Sequence, residues 1–191
     1  MKTFILFGPP GAGKGTQGVI LAGKYNLCHI STGALLRSEI AAGTPLGTIA
    51  KDLIEAGNLV PDEIVENMIR EKIRNTRDVN GFLLDGFPRT LPQAEVLGEM
   101  LAELGEEVTA CLSIHIPEEL VSERIAHRAH IEGRADDARP EVIQNRIRQY
   151  HERTESLIDY YRNAHHYVEV DGVGTIEEVS ARLFAAIDEL N

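Results

Sequence analysis

Tryptophan is absent from the 191 residues and cysteine occurs only twice, at Cys28 and Cys111. Two cysteines so far apart, with no C-x-x-C partner, exclude a disulfide framework and a four-cysteine zinc site. Reduced thiols of this kind belong to the cytosol, so a cytoplasmic location is expected. Long apolar runs are also missing. The opening MKTFILFG is apolar only from Phe4 to Phe7 before Gly8-Pro9-Pro10, too short for a signal peptide. No segment approaches membrane-spanning length. Positive charge is scarce, with 19 Lys and Arg against 30 Asp and Glu and a net charge of -11. That balance argues against a general nucleic-acid or membrane-surface binder, which needs a positive field to attract phosphates. Of the seven histidines, His127 and His130 are three apart, but no carboxylate pair accompanies them, and they read as surface residues. No heptad seam announces a partner, so a monomer is expected.

What the sequence does have is an apolar fraction of 43%, enough for a substantial core, in a length that suits a single domain. Short apolar runs alternate with helical patterns, the signature of β-α units feeding a parallel sheet. Strands are expected at Thr3–Phe7, Leu27–Ile30, Phe82–Leu84, Ala110–Ile116 and Tyr167–Val170. Helices are expected at Asp62–Ile73, Ala94–Leu104, Glu118–Ala129, Pro140–Arg162 and Ile176–Leu190. Thr175-x-x-Glu178 has the form of a capping box, and Pro61-Asp62-Glu63 that of a first helical turn. Two insertions break the rhythm. Ser31 to Val60 carries four glycines and a proline, and Ala129 to Arg139 is short, charged and glycine-containing; both read as mobile excursions from one core.

The cations that are present are unevenly chosen. Arginine outnumbers lysine 14 to 5, and seven arginines fall between Arg124 and Arg153. A guanidinium offers a rigid donor fork matched to phosphate oxygens, although a solvated helix face laced with acids would give the same count. The stretch GPPGAGKGT, Gly8 to Thr16, follows a strand and opens a helix, so its bare amides, the positive helix end and Lys14 converge on one anion. It departs from G-x-x-x-x-G-K-[ST] because Gly15 takes the hydroxyl position and Thr16 comes one place late. In GFLLDGFPRT, Asp85 ends a strand at the rim beside that loop, where it can organise magnesium directly or through water, and Arg89 brings a phosphate fork to the same rim.

These motifs together resemble the nucleoside monophosphate kinases, and within them the adenylate kinase family. The likeness runs along almost the whole chain: GPPGAGKGTQ, ISTGALLR, GNLVPDE, LLDGFPRTLPQ, the pair Arg124 and Arg128, GRADD, Arg146, YHERT and VDG. The family's loop reads GKGT, so the displaced threonine belongs to the resemblance. It implies a P-loop three-layer α/β fold with a five-stranded parallel sheet flanked by helices. A core of residues 1–30, 61–126 and 138–191 would carry a helical AMP-binding excursion, 31–60, and a short lid, 127–137, lacking the long form's zinc-bearing insertion. The implied reaction is reversible transfer of the terminal phosphoryl of ATP to AMP, giving two ADP, with Mg2+ and no zinc.

The resemblance also implies roles. Gly11, Ala12, Gly13, Lys14, Gly15 and Thr16 would hold ATP phosphates, Arg128 would come over ATP, and the backbone near Gly174 would touch adenine. Thr32, Arg37, Asn58, Leu59, Val60, Gly86, Phe87, Pro88, Arg89 and Gln93 would hold AMP, and Arg134 and Arg146 would bridge the reacting phosphates. Lys14, Arg89, Arg128, Arg134 and Arg146 form the implied catalytic set, and Asp85 the metal's anchor. One departure stands out: Ser31-Thr32-Gly33-Ala34 replaces the family's STGD, removing an acid expected to orient the metal's water shell. Gln93 is open to two readings, since Thr90-x-x-Gln93 fits a capping box. The resemblance favours base recognition, because UMP-CMP kinases differ near it and at Thr32. Outside the enzymes, a guanine-reading switch would want N-K-x-D, and no asparagine here precedes a lysine.

Overall fold

The computed structural model describes residues 1–132 and 139–190, and of 129–132 the backbone alone. Five strands, β1 (Lys2–Phe7), β2 (Leu27–Ser31), β3 (Gly81–Asp85), β4 (Ala110–His115) and β5 (Tyr167–Asp171), form one parallel sheet in the order β2-β3-β1-β4-β5. Alternation along β1 sends Ile5 and Phe7 into one apolar cluster and Phe4 and Leu6 into another, one on each face. Such two-sided burial is why parallel strands read as continuous apolar runs. Helices α1 (Lys14–Tyr25), α6 (Glu118–Glu132) and α9 (Ile176–Asp188) pack on one face. The other is covered by α2 (Thr32–Ala41), α3 (Pro45–Glu55), α4 (Asp62–Asn75), α5 (Leu91–Ala102) and α8 (Leu157–Asn163). The remaining described helix is α7 (Pro140–Gln149).

Local chemistry sets the helix ends. Helix α4 buries Val65, Ile69 and Ile73 at four-residue spacing, with Asp62 and Glu63 in its first turn and Lys72 and Arg74 in its last, complementing the helix dipole. Thr175 and Glu178 form the expected reciprocal capping box of α9, at 3.2 and 2.8 Å. Helix α5 starts at Leu91, three residues before the expected Ala94, because Thr90 caps it by accepting from Gln93 N.

The expected helix Pro140–Arg162 is interrupted. After α7 the chain makes a π-helical turn at Tyr150–Thr154, in which Glu155 N donates to Tyr150 O five residues back. The added residue shifts the helix phase. Tyr150 faces the Phe7 ring at 5.8 Å, while Thr154 and Leu157 are buried. The expected lid falls within the described residues only through Glu132, the end of α6; the rest of it, Arg134 included, lies outside them.

Two glycines of α1 differ in purpose. A Cβ on Gly23 would meet nothing within 4 Å, whereas one on Gly18 would collide with the His29 imidazole. Gly23→Ala is therefore expected to stabilise the protein by up to about 1 kcal/mol, raising Tm by about 2–4 °C. Gly18→Ala should lower it, and thermal melts of both variants check the contrast.

Candidate active site

The sheet order reverses around β1, and the crevice outside the strands' carboxyl ends is where open α/β sheets place ligands. Here it holds a cleft of about 1330 Å³ lined by residues of β1–α1, β2–α2, β3–α5, α6 and α7. Gly8, Gly11 and Gly13 have φ of 137°, 81° and 90°, the left-handed region where a side chain is strained. The space beside Gly13, the residue preceding α1, is empty to 4 Å, and no side chain caps that helix. The orphan N–H groups of the first turn are thus available to an anion. Gly11, Gly13, Lys14, Gly15 and Thr16 all line the cleft, whereas Ala12 is buried in the core.

Lys14 folds back on its own loop, donating to Gly8 O at 2.7 Å and Pro9 O at 2.9 Å. Burial pushes its ammonium down to about 8, reinforced by Arg89, Arg128 and Arg146 and opposed by Asp85. Asp85, only 8% exposed, behaves oppositely. Burial pushes its carboxyl up, but His29, Lys14 and Arg89 outweigh burial and hold it below the ordinary carboxylate range. Arg89 donates from Nε to Gly86 O at 2.8 Å, and burial, Arg146 and Arg37 lower its pKa against the pull of Asp85. Lys14 is therefore repelled by Arg89, Arg128 and Arg146, and Arg89 by Arg146 and Arg37, beside the ionised Asp85. A polyanion relieves that repulsion.

The Lys14 shift has a measurable consequence. Above pH about 8 the free protein loses the Lys14 proton, while bound phosphate favours the protonated form. Nucleotide affinity should fall as pH rises through that value, approaching tenfold per unit, with little change from this group below pH 7. In Lys14→Met the slope should vanish, which titration calorimetry at pH 7 to 9 checks. For folding the sign is reversed: from about 8 to 10.5 the unfolded chain holds the extra proton, so this group makes stability rise with pH.

At the other end of the cleft Thr32, 4% exposed, donates from Oγ1 to Gly86 O at 3.0 Å. Arg37, Asn58, Leu59, Val60, Gly86, Pro88, Arg89 and Gln93 line this end, and Phe87 is buried behind it at 1% exposure. The tip between α3 and α4 is held by α7. Asn145 Nδ2 donates to Ala56 O at 2.8 Å and to Asn58 Oδ1 at 2.9 Å, and Arg139 donates to Glu55 O at 2.7 Å. Gly174, exposed and at φ 128°, does not line the cleft, although Ile176 two residues on does. Its loop is secured by Arg124, which donates to Gly172 O, and Arg182, which donates to Asp171 O and Val173 O.

His29 is a site residue that no motif in the sequence marks. Its Nε2 is buried without a hydrogen-bond partner and lies 3.7 Å from Asp85 Oδ2. The signal was alternation on β2, which puts His29 and Ser31 on one side, with Ser31 in register with Asp85.

A phosphate loop, a sheet-edge acid and a group of half-buried cations define a P-loop nucleotide phosphotransferase. The adenylate kinase family model matches residues 6–166. The chain is 44% identical over 183 residues to the adenylate kinase of Stenotrophomonas maltophilia K279a, covering 96% of this chain and 97% of that one. It is 43% identical to that of Flavobacterium psychrophilum over the whole of both chains, and 44% identical to that of Micrococcus luteus, across 98% and 91%. The chain belongs to the adenylate kinase family. Its reaction is the transfer of the terminal phosphoryl of ATP to AMP, giving two ADP.

Proposed function

We propose that this reaction runs in the cleft with ATP phosphates on Gly11–Thr16, AMP between α2, the Asn58–Val60 segment and Gly86–Gln93, and the transferring group among Lys14, Arg89, Arg128 and Arg146. The observation that carries the reading is the pair Lys14 and Arg89 beside Asp85, both lowered in pKa by burial and by the arginines around them. Two polyanions meeting end to end repel by several kcal/mol in a partly dry site, and these charges offset that repulsion. The AMP phosphate is already deprotonated near neutral pH, so no general base is required. Catalysis becomes positioning plus charge stabilisation. Arg134 and the backbone near Gly174 join the site by resemblance alone.

Asp85 suits a magnesium ion: it is ionised, sits at the rim, and lies 3.8 Å from where a Gly15 Cβ would stand. Magnesium takes one or two carboxylates, water and substrate phosphates. Held by Asp85 and water, it would neutralise charge on the reacting phosphates. Among the described residues no group of three or more His, Cys, Asp or Glu could hold a metal ion; the reading without zinc rests on the resemblance to the short-lid form. Ala34 is exposed in the cleft at the first turn of α2. Ala34→Asp is expected to strengthen apparent magnesium binding a few-fold, read as a lower half-saturating Mg2+ at fixed ATP; an unchanged titration would show that the substitution is silent. The same reading makes the protein a cytoplasmic monomer that takes no nucleic acid and no membrane. Among the described residues no helix is long and apolar enough to cross one.

Labelled ATP tests the proposal. With the γ-phosphate labelled, the label should appear in ADP formed from AMP. Its release as inorganic phosphate would mark a hydrolase.

A further inference from the structure

We propose that Asp62 is a positioning residue for adenine specificity: it fixes the orientation of the Gln93 side-chain amide, and thereby the pattern of donor and acceptor shown to the monophosphate's base. The inference rests on the reading of Gln93 as the AMP base contact and adds to it the group that makes that contact selective.

Asp62 opens α4, a different element from the one carrying Gln93. Its Oδ1 accepts from Gln93 Nε2 at 2.9 Å and its Oδ2 accepts from Thr90 Oγ1 at 2.9 Å. Thr90 Oγ1 in turn accepts from Gln93 N at 3.3 Å, while Arg89 N donates to Gln93 Oε1 at 2.7 Å. Gln93 is only 2% exposed, yet it lines the cleft. A glutamine amide has two N–H donors and two acceptor lone pairs. One of each is used internally, so one N–H and one lone pair remain for a ligand.

The internal bonds also decide which is which. Rotating the amide by 180° would set its NH2 against the Arg89 N–H and its carbonyl oxygen against the Asp62 carboxylate. Both ends would then repel, and both buried partners would lose their bonds. The amide therefore meets the base in one sense only. Adenine offers an acceptor at N1 and a donor at its amino group, which the fixed N–H and carbonyl complement. Hypoxanthine offers the reverse, a donor at N1 and an acceptor at O6, and would need the forbidden rotation. Cytosine repeats adenine's order of acceptor and donor, so this device rejects inosine monophosphate, GMP and UMP by pattern and leaves CMP to be excluded by reach.

The test is the ratio of kcat/KM for AMP to that for inosine monophosphate, with ATP as donor, in Asp62→Asn, Asp62→Ala and Gln93→Leu, with melting recorded on each preparation. Asparagine keeps the shape but can face a rotated Gln93 with its own amide. Asp62→Asn should reduce the ratio about tenfold, the worth of one buried hydrogen bond, with KM for ATP within about twofold. Asp62→Ala should reduce it as well, so a folding failure in one variant leaves the other to decide. If Gln93→Leu collapses the ratio while both Asp62 variants keep it, or lower both substrates equally, the positioning role is overturned and the base contact stands. If Gln93→Leu leaves the ratio unchanged, the base contact itself falls and the proposal with it.

Discussion

Lys14→Met is expected to lower kcat about 10²- to 10³-fold, the usual cost of removing one preorganised charge at a reacting centre, with the fold preserved. The structure explains why both halves should hold. The ammonium sits in a site that disfavours its charge, burial and three arginines having lowered it to about 8. An uncharged, unbranched side chain of similar length removes that cost, and the Gly8 and Pro9 carbonyls it leaves behind can turn to water in the open cleft. Melting should be unchanged or higher while phosphoryl transfer is nearly lost. Stability and activity then move apart, as they do where a strained site serves chemistry. A variant with normal turnover would sink the assignment of Lys14 to the transferring phosphate.

Arg89→Lys keeps the charge and removes the fork, and it is expected to cost about one to two decades in kcat/KM for AMP. The guanidinium is tied through Nε to Gly86 O, which leaves its two terminal nitrogens in one plane for a phosphate. An ammonium on a flexible stem cannot hold both contacts. Loss of one hydrogen bond to a charged group is worth about 1.5–3 kcal/mol, hence the decades. KM for ATP should change much less. If lysine substitutes without loss, Arg89 acts only as a point charge and its planar geometry is irrelevant.

Much of this was legible in the residues, for reasons that differ by element. Strands buried on both faces read as apolar runs, and every expected strand matched the structure to within one residue at each end. The phosphate loop was legible because glycine at positive φ and lysine before a helix leave a distinct local pattern. The break at Tyr150 was not, since a π-helical turn adds one residue without any glycine or proline to mark it. Gly18 makes room for His29, a contact between residues 11 positions apart on different elements that no helical pattern reveals. Gln93 meets only half of the capping-box pattern. Its backbone N–H meets the Thr90 cap, while its side chain bonds Arg89 N and Asp62, 31 residues away. Spacing along one helix cannot reveal a partner that the sheet topology brings from another.

The most direct measurement is kcat/KM with ATP and Mg2+ for AMP, CMP, UMP and GMP in turn, following ADP formation in a coupled assay. AMP should exceed each of the others by at least about one to two decades, since a base of the wrong pattern, or in CMP one of too short a reach, leaves the polar groups of Gln93 unpaired. CMP or UMP accepted as well as AMP would contradict the account.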